Sequence, residues 1–327
     1  MSDPTDTSTG TGTGASPVAP RPIETIALAR RTLLDLAARE SGGLPDDLNE
    51  PYHEWLQGLP LPEPGATVDP VLHLGVALTP GRSAAGWFER RVFTAGALVA
   101  PMIGPTADFL GDAGATADEV ERIGDLGPVV RPDLLSSWWM VREHAHDVGW
   151  TMHGQLDPHA VARAIDLEEH RQALLALTDD EPDVHVVAIG RSTGAGEPVA
   201  QLRLLVDDPE DDGAVAAATR CLAAFDAPLP DDDTLARALA LSEGCPVGVV
   251  LWLLPDGLAR AGLTFGAADD ALVVALADHE GWTERLDAIA ASRAALAGDG
   301  GETTLTVELF TDADGGGTTL HVDAFRG

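Results

Sequence analysis

Four pairs of short alternating segments, each pair joined by a tight turn and followed by helical sequence, limit what this chain can become. Val71–Thr79 and Trp87–Thr94 flank a Pro80-Gly81 turn, and Val184–Arg191 and Val199–Val206 flank Thr193-Gly194-Ala195-Gly196. Val247–Leu254 and Arg260–Phe265 turn at Asp256-Gly257, while Thr304–Phe310 and Thr319–Phe325 turn through Asp314-Gly315-Gly316. Such runs, bounded by glycine-rich turns, predict antiparallel hairpins. Inside them the faces separate cleanly. Leu72, Leu74, Val76 and Leu78 oppose Val71, His73, Gly75 and Ala77; Leu320, Val322 and Ala324 oppose Thr319, His321, Asp323 and Phe325. The greasy face should meet helices, and the other is a mixture of polar, aromatic and small residues. An α+β architecture follows, with helices on one face of an antiparallel sheet. That sheet can stay open, or close into a barrel with the mixed face inside.

Between the hairpins, helical patterning is expected near 97–111, 116–124, 133–147, 158–177, 214–225, 234–242 and 270–296, with a short strand at 149–154. Residues 1–20 are Ser, Thr, Gly, Pro and Asp, a tail that cannot bury anything. Order is expected from residue 21, with a first helix over 23–36, and residues 21–327 should form a single domain.

Charge narrows the function. The 327 residues hold 53 Asp plus Glu, and all 20 basic positions are arginine, for a formal net charge of -33. Without lysine there is no Schiff-base chemistry and no phosphate-gripping lysine. So acidic a surface argues against nucleic acid and against an anionic membrane. No apolar run approaches the roughly 20 residues of a membrane helix, and the N-terminus lacks a signal-peptide pattern, so a cytoplasmic location is expected. Cys221 and Cys245 lie far apart and read as reduced thiols.

Parity along the strands selects the chemistry-bearing positions. The mixed face would gather Glu89 with Arg91, His73, His185 with Arg191, Gln201 with Arg203, Arg260 with Thr264, Glu308, and His321 with Asp323. Trp252 would add an aromatic wall. On an open sheet these are merely a wet face; in a barrel they converge. Arginines can grip a diphosphate by paired hydrogen bonds, and a carboxylate can orient or deprotonate an aromatic nucleophile.

Two metal-like patterns read differently in context. Glu143-His144-Ala145-His146-Asp147 contains HxH, but on the helix expected over 133–147 the two imidazoles would point about 200° apart. It therefore reads as a histidine-rich helix end. Asp179-Asp180-Glu181-Pro182-Asp183 and Asp207-Asp208-Pro209-Glu210-Asp211 match DDxxD, yet both flank hairpin strands and read as turns and caps. Trp138-Trp139 and Trp150 read as packing residues.

The stretch Pro198–Asp208 (PVAQLRLLVDD) places a cation in an alternating strand ahead of a helix. The layout from Leu263 through Asp269-Asp270 to Ala277-Asp278-His279-Glu280-Gly281, and the closing hairpin, continue the pattern. In these features the C-terminal half resembles the α-β-β-α aromatic prenyltransferases of the dimethylallyl-tryptophan synthase branch. That resemblance implies a ten-stranded barrel with helices outside and a lumen as active site. It implies transfer of an allylic prenyl group from its diphosphate to an aromatic, indole-type acceptor in specialised metabolism. Arg91, Arg191, Arg203 and Arg260 would hold the diphosphate, with His73 and His185 beside them. Glu89, Glu308, His321 and Asp323 would serve the acceptor, and Trp252 would shield the cation. Only small-molecule partners are implied, and no cofactor, magnesium being compatible but not required. The family's usual lysines and several tyrosines are missing; the single tyrosine, Tyr52, lies outside the strands. Two other functions fit the same residues: an acidic α+β binding or chaperone-like protein, and a barrel of this type running cyclisation or hydrolysis.

Overall fold

The computed structural model describes residues 71–326, apart from 80–84, 94–98, 113–114, 143–144, 193–198, 207–210, 243–245, 267–269 and most of 281–302. The expected 1–20 tail, the 23–36 helix, Tyr52 and Cys245 lie outside the described residues.

Ten antiparallel strands carry the fold: β1 (Val71–Leu78), β2 (Ala85–Phe93), β3 (Leu134–Arg142), β4 (Ala145–His153), β5 (Val184–Ser192), β6 (Val199–Val206), β7 (Val247–Leu254), β8 (Gly257–Gly266), β9 (Thr303–Asp312) and β10 (Gly315–Arg326). Each strand pairs with its neighbours in sequence, and β10 returns to pair with β1. The ladder therefore closes into a barrel, and the choice left open by the sequence falls to closure. Closure leaves no sheet edge to template association.

The greasy parity faces outward, beneath the helices. Leu202, Leu204, Val249, Leu251, Leu263, Val307 and Val322 are all buried in one continuous core with Ile123, Leu174, Ala218 and Leu241 of the helices. Each large aliphatic side chain removed from water there contributes about 1.5–3 kcal/mol. The covering helices include Val99–Asp112, Ala117–Val130, Glu168–Asp180, Asp211–Ala224, Asp232–Ser242 and Asp270–Glu280. None of the described helices is long and apolar enough to cross a membrane.

One element differs from expectation. Residues 133–147 are not helical: Leu134–Arg142 and Ala145–His153 form a fifth hairpin. The cause is visible in LLSSWWMV, where residue types come in doublets. Leu134, Ser136, Trp138 and Met140 line one face and Leu135, Ser137, Trp139 and Val141 the other. With matching chemistry on both faces, the alternation that marks a strand cancels.

A bulge makes the second difference. Val186 pairs with Leu204 but Ala188 pairs with Arg203, leaving Val187 as an extra residue. Side chains beyond it switch faces. His185 therefore points inward, whereas Arg191, which shares its parity in the sequence, points out under the helices.

Candidate active site in the barrel lumen

The inner wall carries the polar residues in two clusters. The first spans β8, β9 and β10. Glu308 of β9 receives Nε of Arg260 on Oε1 at 3.0 Å, with Nη2 of the same arginine at 2.9 Å. Its other oxygen meets Nε2 of His321 at 2.9 Å. Arg260 also donates to Oγ1 of Thr319 at 3.3 Å, and Thr319 is hydrogen bonded to Thr79 of the β1 end at 2.7 Å. The guanidinium lies over the Phe310 ring, 3.8 Å from its centroid, a contact of about 0.5–2 kcal/mol.

Glu308 is 4 % exposed. Burial alone would raise its pKa, but the hydrogen bond from His321 and the charge of Arg260 outweigh it and hold the carboxyl below the usual range. Its place against the wall depends on Gly262 of β8. A Cβ there would lie 3.0 Å from Glu308 Oε1 and 2.9 Å from the Leu309 carbonyl oxygen. Asp323 stands on the same inner face of β10, 9 % exposed, opposite Gly75.

The second cluster spans β2, β3 and β4. Glu89, 6 % exposed, meets Nε2 of His153 at 3.3 Å, and Oγ of Ser136 meets the same nitrogen at 3.3 Å. A nucleophilic relay needs its serine and carboxylate on opposite ring nitrogens, so none is formed here. Trp138 donates its indole N–H to Oγ1 of Thr151 at 3.1 Å and lies flat across Gly149. Nearby, Ser192 donates to Asp147 at 2.6 Å.

The remaining positions complete the wall. Arg203 is exposed on the inner face of β6, donating to Gln201 Oε1 at 3.4 Å. Trp252 stands beside both, opposite Gln201 and Arg260, and its indole nitrogen is buried without a hydrogen-bond partner. His185 is half-buried opposite Leu205. His73 and Arg91 hold inward register positions, opposite Glu89 and Val71. Among the described side chains, those of Glu89, His185, Gln201, Arg203, Trp252, Arg260, Thr264, Glu308, His321 and Asp323 share the inner face, and one other position selected by parity does not.

That exception is Arg191, a correction forced by the bulge. It is 1 % exposed and lies outside the lumen. Nε and Nη2 bond Glu119 of the Ala117–Val130 helix at 2.8 Å each, Nη1 bonds the Ala164 carbonyl at 2.9 Å, and Asp166 closes on Nη2 at 3.0 Å. All three of its nitrogens are engaged internally, so this buried arginine fastens a helix to the barrel's outer face. The sequence hides its partner in a capping pattern, Thr116-Ala117-Asp118-Glu119. Thr116 does cap the helix, at 3.4 Å, but Glu119 reaches the sheet instead of its own helix start.

Sequence reasoning missed Ser136 and Trp138 because 133–147 was read as helix; Thr151 and His153 lie on the short strand expected at 149–154, which was given no hairpin partner and so no inner face. In the observed strands an HxH pair would share a face, but His144 and the His146 side chain lie outside the described residues, and no group of three or more metal-binding side chains forms among the described ones. Of the DDxxD patterns, Asp179 and Asp180 end the Glu168–Asp180 helix, whose Glu181 cap is bound by Arg220 at 2.6 Å. The copy at 207–211 falls almost wholly outside the described residues. Cys221, on the Asp211–Ala224 helix, is buried, and its thiol is pushed up to about 12 by burial.

No protein-family model matches the chain. A PH domain-containing protein of Dictyostelium discoideum is 28% identical over 115 residues, a stretch spanning 31% of this chain and 25% of that protein. Solved structures align over nearly the whole length. The 6-dimethylallyltryptophan synthase of Micromonospora olivasterospora, solved with DMASPP and Trp, matches with a TM-score of 0.61 at 14% identity, covering 91% of this chain and 96% of that one. AnaPT of Neosartorya fischeri gives 0.60 at 10% identity, covering 94% and 98%. The 5-dimethylallyltryptophan synthase of Streptomyces coelicolor gives 0.58 at 15%, covering 92% and 97%. At such identities the likeness concerns the fold. The ring of ten strands, its outer helices and its polar interior give this chain the prenyltransferase-barrel fold of the dimethylallyl-tryptophan synthase type.

Proposed function

We propose that the lumen transfers an allylic prenyl group from its diphosphate to an aromatic acceptor of the indole type. The observation that carries this reading is a closed barrel whose inner wall holds the arginines Arg203 and Arg260 and the buried carboxylates Glu89 and Glu308, with Arg260 paired to Glu308. In the reaction, the C–O bond to the diphosphate breaks and the leaving group keeps the electron pair. The aromatic ring then forms a C–C bond to the allyl cation, and the ring proton passes to a carboxylate or imidazole of the wall. Arg203, Arg260 and Arg91 neutralise the leaving group. Glu89 accepts a hydrogen bond from the acceptor's N–H or O–H, raising electron density on the ring. Glu308, with His321 and Asp323, stands on the other cluster as proton acceptor. Trp138 and Trp252 present indole faces where the family uses tyrosines, each worth about 0.5–2 kcal/mol to a desolvated cation. His73 and His185 supply further donors to the anion.

The test is direct. Dimethylallyl diphosphate, with and without magnesium, should raise the melting temperature of the full chain, and Arg203→Ala should remove the rise. With tryptophan or indole added, the acceptor should gain one prenyl unit. Unshifted melting at saturating diphosphate, in both magnesium conditions, would overturn the reading.

A further inference from the structure

We infer that Trp252 holds the leaving group of the prenyl donor through its indole N–H, donating a hydrogen bond to a phosphoryl oxygen. The inference rests on the diphosphate site proposed above and adds one residue and one contact to it.

Three inner-face side chains stand in a single row across the wall. Gln201 of β6 is paired with Trp252 of β7, and Trp252 with Arg260 of β8. Along this row, donors outnumber acceptors. Nε1 of Trp252 is buried with no hydrogen-bond partner among the described residues. An indole nitrogen can only donate, so the position calls for an acceptor. Gln201 gives its Oε1 to Arg203 at 3.4 Å, which turns its NH2 end the other way, with no bond to that end among the described residues. Arg260 commits Nε and Nη2 to Glu308 and Thr319, and Nη1 takes part in neither contact.

The acceptors close to the row are already in use. Glu308 receives Arg260 on Oε1 and meets His321 through Oε2. Asp312 of β9 continues the row beyond Arg260, on the side away from Trp252. A donor desolvated without an acceptor is unfavourable, and its sheltered setting strengthens the bond to any acceptor that reaches it. Donor groups on three adjacent strands, two of the nearby side chains being arginines, suit a ligand rich in anionic oxygens. The diphosphate of the proposed donor is such a ligand. Its oxygens take the indole edge and leave the ring face to the allyl cation, so one side chain serves both halves of the breaking C–O bond. Nε1 is covered, so the ligand has to part the row to reach it. The Arg203–Gln201 bond is near the outer limit of hydrogen bonding, and it is the link that an anion drawing Arg203 toward itself would break.

The indole N–H itself reports the contact. The chain holds seven tryptophans, and the indole signal missing from the 1H–15N spectrum of Trp252→Phe belongs to Trp252. Inorganic pyrophosphate, added without metal to the full chain, should move that signal downfield, the direction of a stronger hydrogen bond. Titration calorimetry should show pyrophosphate affinity on the order of 10–100-fold lower in Trp252→Phe, which keeps a flat ring but has no donor. Should Trp252→Phe not fold, Trp252→Leu serves for both measurements. An indole that only packs, or that bonds trapped water alone, would keep its signal in place, and its replacement would leave the affinity unchanged. Either of these results overturns the inference while leaving the diphosphate site standing. Absence of pyrophosphate binding to the wild type overturns both.

Discussion

At the scale of single residues, two buried ion pairs have opposite meanings. Arg260–Glu308 stands on the inner wall of the barrel; Arg191–Glu119 is sealed between a helix and the barrel's outer face. Removing Arg191 leaves Glu119, 4 % exposed, with only the longer contact to Arg122 at 3.5 Å, so Arg191→Met should cost about 3–5 kcal/mol in denaturant unfolding, and adding Glu119→Gln should restore much of it. Pyrophosphate affinity of the folded fraction should not change. Glu308 bears on acid stability, with a definite sign. Its folded pKa lies below the ordinary carboxylate value. Its contribution is therefore present above the unfolded pKa, near 4.3, and is lost as pH falls through the lower folded value. Melting temperature against pH should show a shallower acid limb for Glu308→Gln, with a loss of about 1–3 kcal/mol at pH 7.

At the scale of elements, legibility followed chemistry. Hairpins whose faces differ, such as Thr319–Phe325 with Leu320 and Val322 set against His321 and Asp323, were plain from alternation alone. LLSSWWMV was not, because its two faces carry the same residue types, and two wall residues, Ser136 and Trp138, were lost with it. Arg191 was misplaced for another reason. Val187 is an ordinary apolar residue, and nothing local marks it as a bulge; only pairing with β6 shifts the register there. The inner-face placement of the described residues outside these two elements, from Glu89 to Asp323, followed from parity. Glycines within the strands were legible as residues but not as supports. Gly149 lies beneath the Trp138 ring and against the Arg191 carbonyl, so Gly149→Ala should push the indole into the lumen. A destabilisation of about 1–3 kcal/mol is expected, with a changed near-ultraviolet circular dichroism spectrum.

At the scale of the whole molecule, closure of the ring puts a list of polar residues on one inner wall. The same residues on an open sheet would be a solvated face. On the closed ring the described arginines, carboxylates and indoles share the inner wall, and the lack of lysine leaves arginine and histidine as the cationic side chains available to it. The account's central claim is that the barrel interior receives a prenyl diphosphate and an aromatic acceptor and joins them. The most direct measurement is mass spectrometry of the acceptor after incubation of the full chain with dimethylallyl diphosphate and tryptophan or indole, for wild type, Arg203→Ala and Glu89→Gln. The account predicts an acceptor heavier by one dimethylallyl group in place of one hydrogen, with the rate falling at least about 100-fold in Glu89→Gln and a comparable loss in Arg203→Ala. Consumption of the diphosphate with no prenylated acceptor, or prenylation unaffected by both substitutions, would contradict it.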